Sequence, residues 1–274
     1  MLPAQLSLGP LALRAHNVER MYAYYTQVHG FRLHDKHEDG TVVLGSDERE
    51  LVHLIPDPQA RPVNRTAGLY HVAYLYPDRA SLAAALVHLR NVGWRIDGAS
   101  DHGVSEALYL SDIEGNGIEL YVDRPREQWP TNSHGLAMVT EPLDVQALLK
   151  SAGDPKLPIL GHMHLHVGDL AHARRFYVDV LGFDLMQTYG HAAEFVSTAG
   201  YHHHLGYNIW RGKNVPPAPA TATGLVWWTM QLPTAADVDA VAQRLAAAQY
   251  AHEVGDGQVV ARDPSGNQVR VVVG

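Results

Sequence analysis

The sequence predicts an α+β fold made from four copies of one βαβββ module, and two observations predict it. One is a repeat in constant register. Tyr24-Tyr25 through Gly30-Phe31 returns as Phe176-Tyr177 through Gly182-Phe183, with Tyr25 to Tyr177, Gly30 to Gly182 and Phe31 to Phe183 separated by the same interval. The other is a second pair of similar segments. Gly68 to Pro77 is echoed by Gly224 to Pro233, and each leads into an alanine-rich stretch, Asp78 to Val92 and Thr234 to Gln249. Asp112-Ile113-Glu114-Gly115-Asn116-Gly117 likewise matches Asp263-Pro264-Ser265-Gly266-Asn267-Gln268. Four units result, at roughly 8–56, 66–123, 159–211 and 222–273. Units one and three are alike, and so are units two and four.

Each unit follows one grammar. A short alternating strand opens it, as in Met163-His164-Leu165-His166-Val167. An amphipathic helix follows: Leu170 to Leu181 carries Ala173, Phe176, Tyr177 and Val180 at helical spacing. Gly182 stands just past that helix, where a left-handed cap suits glycine. Two or three strands close the unit, joined by turns such as Gly115-Asn116-Gly117. The proline-rich stretch from Arg124 to Pro158, with a helical piece at Leu143 to Ala152, reads as a connector. The expected organisation is an N-terminal double module at 1–123, a linker at 124–158 and a C-terminal double module at 159–274.

Composition narrows the function. Of 274 residues, 46% are apolar and 18% charged, which excludes a disordered chain, a coiled coil or a fibre. A net charge of −8 argues against nucleic acid as a partner, because phosphate contacts need a basic surface. With no cysteine, thiolate metal sites, disulfide frameworks and cysteine nucleophiles all fall away. No basic region leads into a long apolar run at the N-terminus, and no window reaches the ~20 apolar residues of a membrane span, so a soluble cytoplasmic protein without a membrane partner is expected. Eighteen histidines stand against 21 lysines and arginines, which directs attention to metal chemistry.

The fourfold βαβββ grammar resembles the vicinal oxygen chelate superfamily, which includes glyoxalases, bleomycin resistance proteins and extradiol dioxygenases. Asp101-His102-Gly103-Val104-Ser105, then Leu108-Tyr109-Leu110-Ser111-Asp112, then Gly115-Asn116-Gly117-Ile118-Glu119 is similar to the extradiol ring-cleavage signature. Ile113 departs from the usual proline, and Ser100 stands at the variable start. The resemblance covers nearly the whole chain and is strongest to two-domain bacterial catechol 2,3-dioxygenases. It implies that units pair into curved, half-open barrels, with metal ligands on first and last strands.

Testing those positions gives His71 and Glu119 in unit two and His162 in unit three. Units one and four offer Pro10, Trp227 and Arg270 instead, which are not ligands, with Val260 matching Tyr109. The ligands meet only if unit two pairs with unit three and unit one with unit four. That exchanged arrangement is expected, against sequential pairing with an incomplete set in each half. The second half-barrel is then expected to bind no metal, with Trp227 filling its interior. Singly, His71 reads as a core histidine and Glu119 as a surface strand residue. Jointly, on matching repeat positions, they read as ligands. Strand alternation agrees: Glu119 and Tyr121 share a face, and so do His162, His164 and His166.

Two imidazoles and a carboxylate on one face leave three positions open, the facial triad of non-haem Fe(II) oxygenases. Mn(II) suits the same donors, and zinc is compatible with the residue types. The resemblance implies an aromatic diol and O2 as substrates. It assigns His102 and Tyr109 to hydrogen bonding with the diol, and an acid–base role to one of His202-His203-His204, His203 by counting. The expected function is extradiol cleavage. The alternatives are a non-oxidative isomerase or lyase of glyoxalase type, and a drug-binding resistance protein without catalysis. The oligomeric state, including a homo-oligomer with units paired between chains, is open at this level.

Overall fold

The structure, a computed structural model, describes residues 1–133 and 135–274. Two curved mixed sheets hold nearly all the strands. One has eight strands in the order His252–Gly255, Gln258–Arg262, Gln268–Val273, Gly224–Leu232, Ser7–Ala15, Glu50–Pro56, Val42–Gly45, Arg32–Lys36. It therefore joins unit four to unit one. The other has nine strands in the order Glu141–Pro142, Gly98–Asp101, Ser105–Ser111, Gly117–Asp123, Gly68–Leu75, Ile159–His166, Leu205–Asn208, Ala193–Ser197, Asp184–Tyr189. It joins unit two to unit three. The exchanged pairing expected from the ligand distribution is the pairing observed.

Both sheets follow one rule. First strands of partner units meet antiparallel, Gly68–Leu75 on Ile159–His166 and Ser7–Ala15 on Gly224–Leu232. The last strand of a unit runs parallel beside its own first strand, as Gly117–Asp123 does beside Gly68–Leu75. The register slips between Leu160 and His162, and at the matching place between Leu8 and Leu11. Pro10 sits in that second slip, where a strand can carry a residue without an N–H to donate.

Four capped helices cover the sheets' outer faces. The side chains of Asn17, Asp78, Asp169 and Thr234 each accept from a backbone N–H in the first turn of the helix they precede. One differs from expectation. Leu170–Arg174 is α-helical, but Arg175–Leu181 continues in the wider turns of a π-helix. The wider turn leaves Phe176, Tyr177, Val180 and Leu181 all buried before Gly182, at φ 97°, ends the segment.

Alternation divides each strand between two environments. Ile118, Leu120 and Val122 enter the main core beneath the helices, with Met163, Leu165 and Val167. Tyr121, Ala73 and Ala107 form a separate small cluster on the opposite, concave face. The metal-ligand candidates project from that concave face.

Candidate metal centre

Three neighbouring strands build the site. On the central one, Ala73 pairs with Glu119 on one side and His162 on the other. Its methyl side chain is fully buried and leaves the space into which both longer side chains reach. His71 lies two residues earlier on the same strand, hence on the same face. Glu119 Oε2 lies 3.0 Å from His71 Nε2 and 3.2 Å from His162 Nε2. All three residues are buried. Among the described residues, they form a group whose donor atoms lie within 4.8 Å of one another, close enough to share a metal ion.

The donor set fits a divalent cation. His71 Nε2 is buried beside the carboxylate but has no hydrogen-bond partner, so proximity to Glu119 is not explained by a bond between them. Two imidazole nitrogens and one carboxylate oxygen converging in a buried cup are the donors of a facial-triad site. Burial raises the Glu119 carboxyl, but His162 and His71 outweigh it and hold the group well below the usual carboxylate range. Burial lowers His162 to about 4, although Glu119 opposes the shift, so its imidazole is neutral and able to ligate at pH 7.

The cup opens into a cavity of about 360 Å³ lined by His71, Glu119, His102, Tyr109, His164 and His203, among others. His102 Nδ1 lies 2.7 Å from the Val139 carbonyl, so this nitrogen carries the proton. His102 Nε2, 2.6 Å from Tyr109 Oη, then accepts a hydrogen bond from the phenol. Tyr109 stands opposite Glu119 across the strand pair. His203 faces the cavity, with its ring 4.0 Å from that of His162. Its neighbours do not line the cavity. His202 Nε2 contacts Asp123 Oδ1 at 2.8 Å, and His204 Nδ1 contacts Ser197 Oγ at 2.7 Å. The structure therefore brings all six expected residues to one place.

A protein-family model for the glyoxalase/bleomycin resistance protein/dioxygenase superfamily matches residues 7–120 and 159–271. The chain belongs to that superfamily. It is 43% identical over 277 residues to a catechol-2,3-dioxygenase of Bacillus subtilis, covering 97% of each chain. It is 27% identical over 119 residues to biphenyl-2,3-diol 1,2-dioxygenase 3 of Rhodococcus globerulus, covering 42% of this chain and 63% of that protein. In fold it is similar to a putative dioxygenase from Bacillus subtilis, with a TM-score of 0.71, 11% identity, and 97% and 84% of the two chains covered.

Several residues of this superfamily member escaped sequence reasoning. Asp123 binds His202, while its other oxygen accepts from Tyr201 Oη at 3.0 Å, and Tyr201 lies 2.9 Å from Tyr121 Oη. Alternation placed Tyr121 on the ligand face, but nothing local revealed the partners of Tyr121 and Asp123, which come from unit three. The close approach of Tyr121 also demands Gly161, where a Cβ would lie 2.0 Å from the phenolic oxygen. His164 was visible as part of a three-histidine face. Its Nε2 accepts from Asn208 Nδ2 at 2.9 Å, an orientation secured by the Trp210 backbone N–H on Asn208 Oδ1. The connector supplies wall residues too: Met138, Val139 and Thr140 line the cavity, and Gln187 brackets Met138 with two backbone hydrogen bonds.

In the partner half-barrel of this superfamily fold, Arg270 stacks over Trp227 with the guanidinium carbon 4.0 Å from the ring centre. His53 meets the same indole edge-on at 5.1 Å. The positions that match Glu119 and His71 thus hold a cation lying on an aromatic face.

Proposed function

We propose that the protein is an Fe(II)-dependent extradiol dioxygenase that opens a catecholic ring beside its diol. The observation that carries this reading is the convergence of His71, Glu119 and His162, with His71 and Glu119 lining a cavity that also presents His203, His102 and Tyr109. Full-length similarity to a catechol-2,3-dioxygenase supports it. Bound iron would supply electrons and hold diol and O2 together. Mn(II) suits the same donors. We place the enzyme in the cytoplasm; among the described residues, no helix is long and apolar enough to cross a membrane.

The protein's own groups handle protons and orientation. His202 Nε2–H donates to Asp123, so His202 Nδ1 accepts from His203 Nδ1–H, 2.8 Å away. That leaves His203 Nε2 with a free lone pair to take a diol proton and return it later as general acid. Tyr109, held by His102, borders the cavity beside Glu119 and orients the diol oxygens. The glyoxalase alternative adds a second carboxylate ligand, whereas this group carries one.

Protein purified without oxygen, loaded with Fe(II) and given catechol in air is expected to yield a yellow ring-fission product with stoichiometric O2 uptake. Iron-loaded protein that consumes no O2 with any catechol, yet isomerises a glutathione hemithioacetal, would overturn the proposal in favour of the glyoxalase type.

A further inference from the structure

We propose that the cavity selects catechols bearing a neutral, apolar ring substituent and rejects those bearing a carboxylate. The inference rests on the dioxygenase reading and names the diol it serves.

The rim carries the first argument. Tyr70, Val139, Tyr189 and Trp210 are 38%, 40%, 48% and 47% exposed, and all four border this cavity. They are four of the eleven large hydrophobic side chains exposed among the described residues. Single exposed hydrophobics need no explanation, but a cluster around one opening marks a surface that a ligand covers. Tyr70 and Trp210 stand edge to face, 5.0 Å apart at 82°, so they make two walls of a corner into which an aryl or alkyl group fits. A diol bound at the cup by its two oxygens occupies the deep end. The outer part of the cavity and this corner then fall to whatever the ring carries.

Charge carries the second. The described lining contains no lysine and no arginine. A carboxylate on the ring would leave water without a cationic partner in the outer cavity. Met138, Val139, Phe195 and Trp210 add apolar surface to the same lining.

Anaerobic dissociation constants of the Fe(II)-loaded enzyme test this. The panel is catechol, 3- and 4-phenylcatechol, and the matched pair 4-ethylcatechol and 3,4-dihydroxyphenylacetate, which differ by a methyl against a carboxylate. The better phenylcatechol is expected to bind at least about tenfold more tightly than catechol. The carboxylate is expected to bind at least about tenfold more weakly than its ethyl match. Trp210→Ala and Tyr189→Ala are each expected to shrink the phenylcatechol-to-catechol ratio. Equal binding across the panel, or a ratio unmoved by both variants, overturns the inference while ring fission of catechol leaves the dioxygenase reading standing. Ring fission of none of these diols sinks that reading and this inference with it.

Discussion

Tyr177 donates its phenolic proton to Asp263 Oδ2 at 2.9 Å, tying the helical segment of unit three to a turn in the opposite sheet. Tyr25 and Asp112 repeat the bond at 3.3 Å on the other side of the molecule. Both aspartates also accept from the backbone and side chain of an asparagine four residues on, Asn267 and Asn116. Burial pushes both carboxyls up, Asp112 to about 6, against the pull of these donors. The clasps join the two sheets, so the repeat first seen as Tyr25 and Tyr177 is a structural device.

Tyr177→Phe strands part of a buried acceptor and is expected to cost about 1–3 kcal/mol of stability. Tyr25→Phe, with the longer bond, should cost less. Urea unfolding midpoints at constant slope measure both; no loss in either variant would show that the asparagine bonds suffice.

His71→Ala, His162→Ala and Glu119→Ala are each expected to abolish iron retention and ring cleavage while leaving far-UV circular dichroism intact. Iron stoichiometry after anaerobic reconstitution is the readout. Any variant that keeps one iron per chain removes its residue from the centre.

His203→Phe is expected to keep iron and anaerobic catechol binding but to slow turnover by roughly 10²–10⁴, the range for lost acid–base help. Asp123→Asn acts through His202 and should slow turnover less. Were His204→Phe to reproduce the His203 loss, the residue bonded to Ser197 rather than the one facing the cavity would hold the role.

Acid should destabilise the protein through His29. Burial chiefly, with His88 adding to it, lowers this imidazole to about 3, and its Nδ1 is buried without a partner. The unfolded chain takes up this proton near pH 6.5 and the folded chain does not, so stability present above 6.5 is lost as pH falls toward 3. The loss approaches ~1.4 kcal/mol per pH unit below 6.5. His29→Phe should flatten the acid limb of a stability–pH curve; an unchanged limb assigns acid sensitivity elsewhere.

Arg270→Met is expected to leave iron content and activity unaltered and to change stability by no more than about 1 kcal/mol. The stacking on Trp227 is lost, but so is a guanidinium whose Nε is buried without a partner. Loss of iron on this substitution would mean that the two half-barrels communicate.

The repeat made the modules legible, and the mismatch of Pro10, Trp227 and Arg270 with His162, His71 and Glu119 made their exchanged pairing legible. Those three comparisons needed only strand register. Asp123, Tyr201 and Asn208 were not legible, because their roles arise from contacts between units that no local pattern encodes. The π-helical turn at Arg175–Leu181 escaped for a related reason: apolar spacing near four residues fits α and π windings alike. Counting left the proposed acid–base position uncertain by one residue, and only the side-chain directions separate His203, which lines the cavity, from its two neighbours.

The pairing of Ser7–Ala15 with Gly224–Leu232 sets an order on biosynthesis. Ser7–Ala15 must wait for a strand made much later, while the strands of the nine-stranded sheet are all made before that partner. Until then Ser7–Ala15 presents an open edge, and open edges of nascent chains invite pairing with other chains. Such distant contacts also form slowly. A chain stopped before Gly224 would keep every residue of the candidate metal centre and lose the strands that cover one edge of Ser7–Ala15. The eight-stranded sheet thus has to close before a newly made chain stops presenting that edge to other chains.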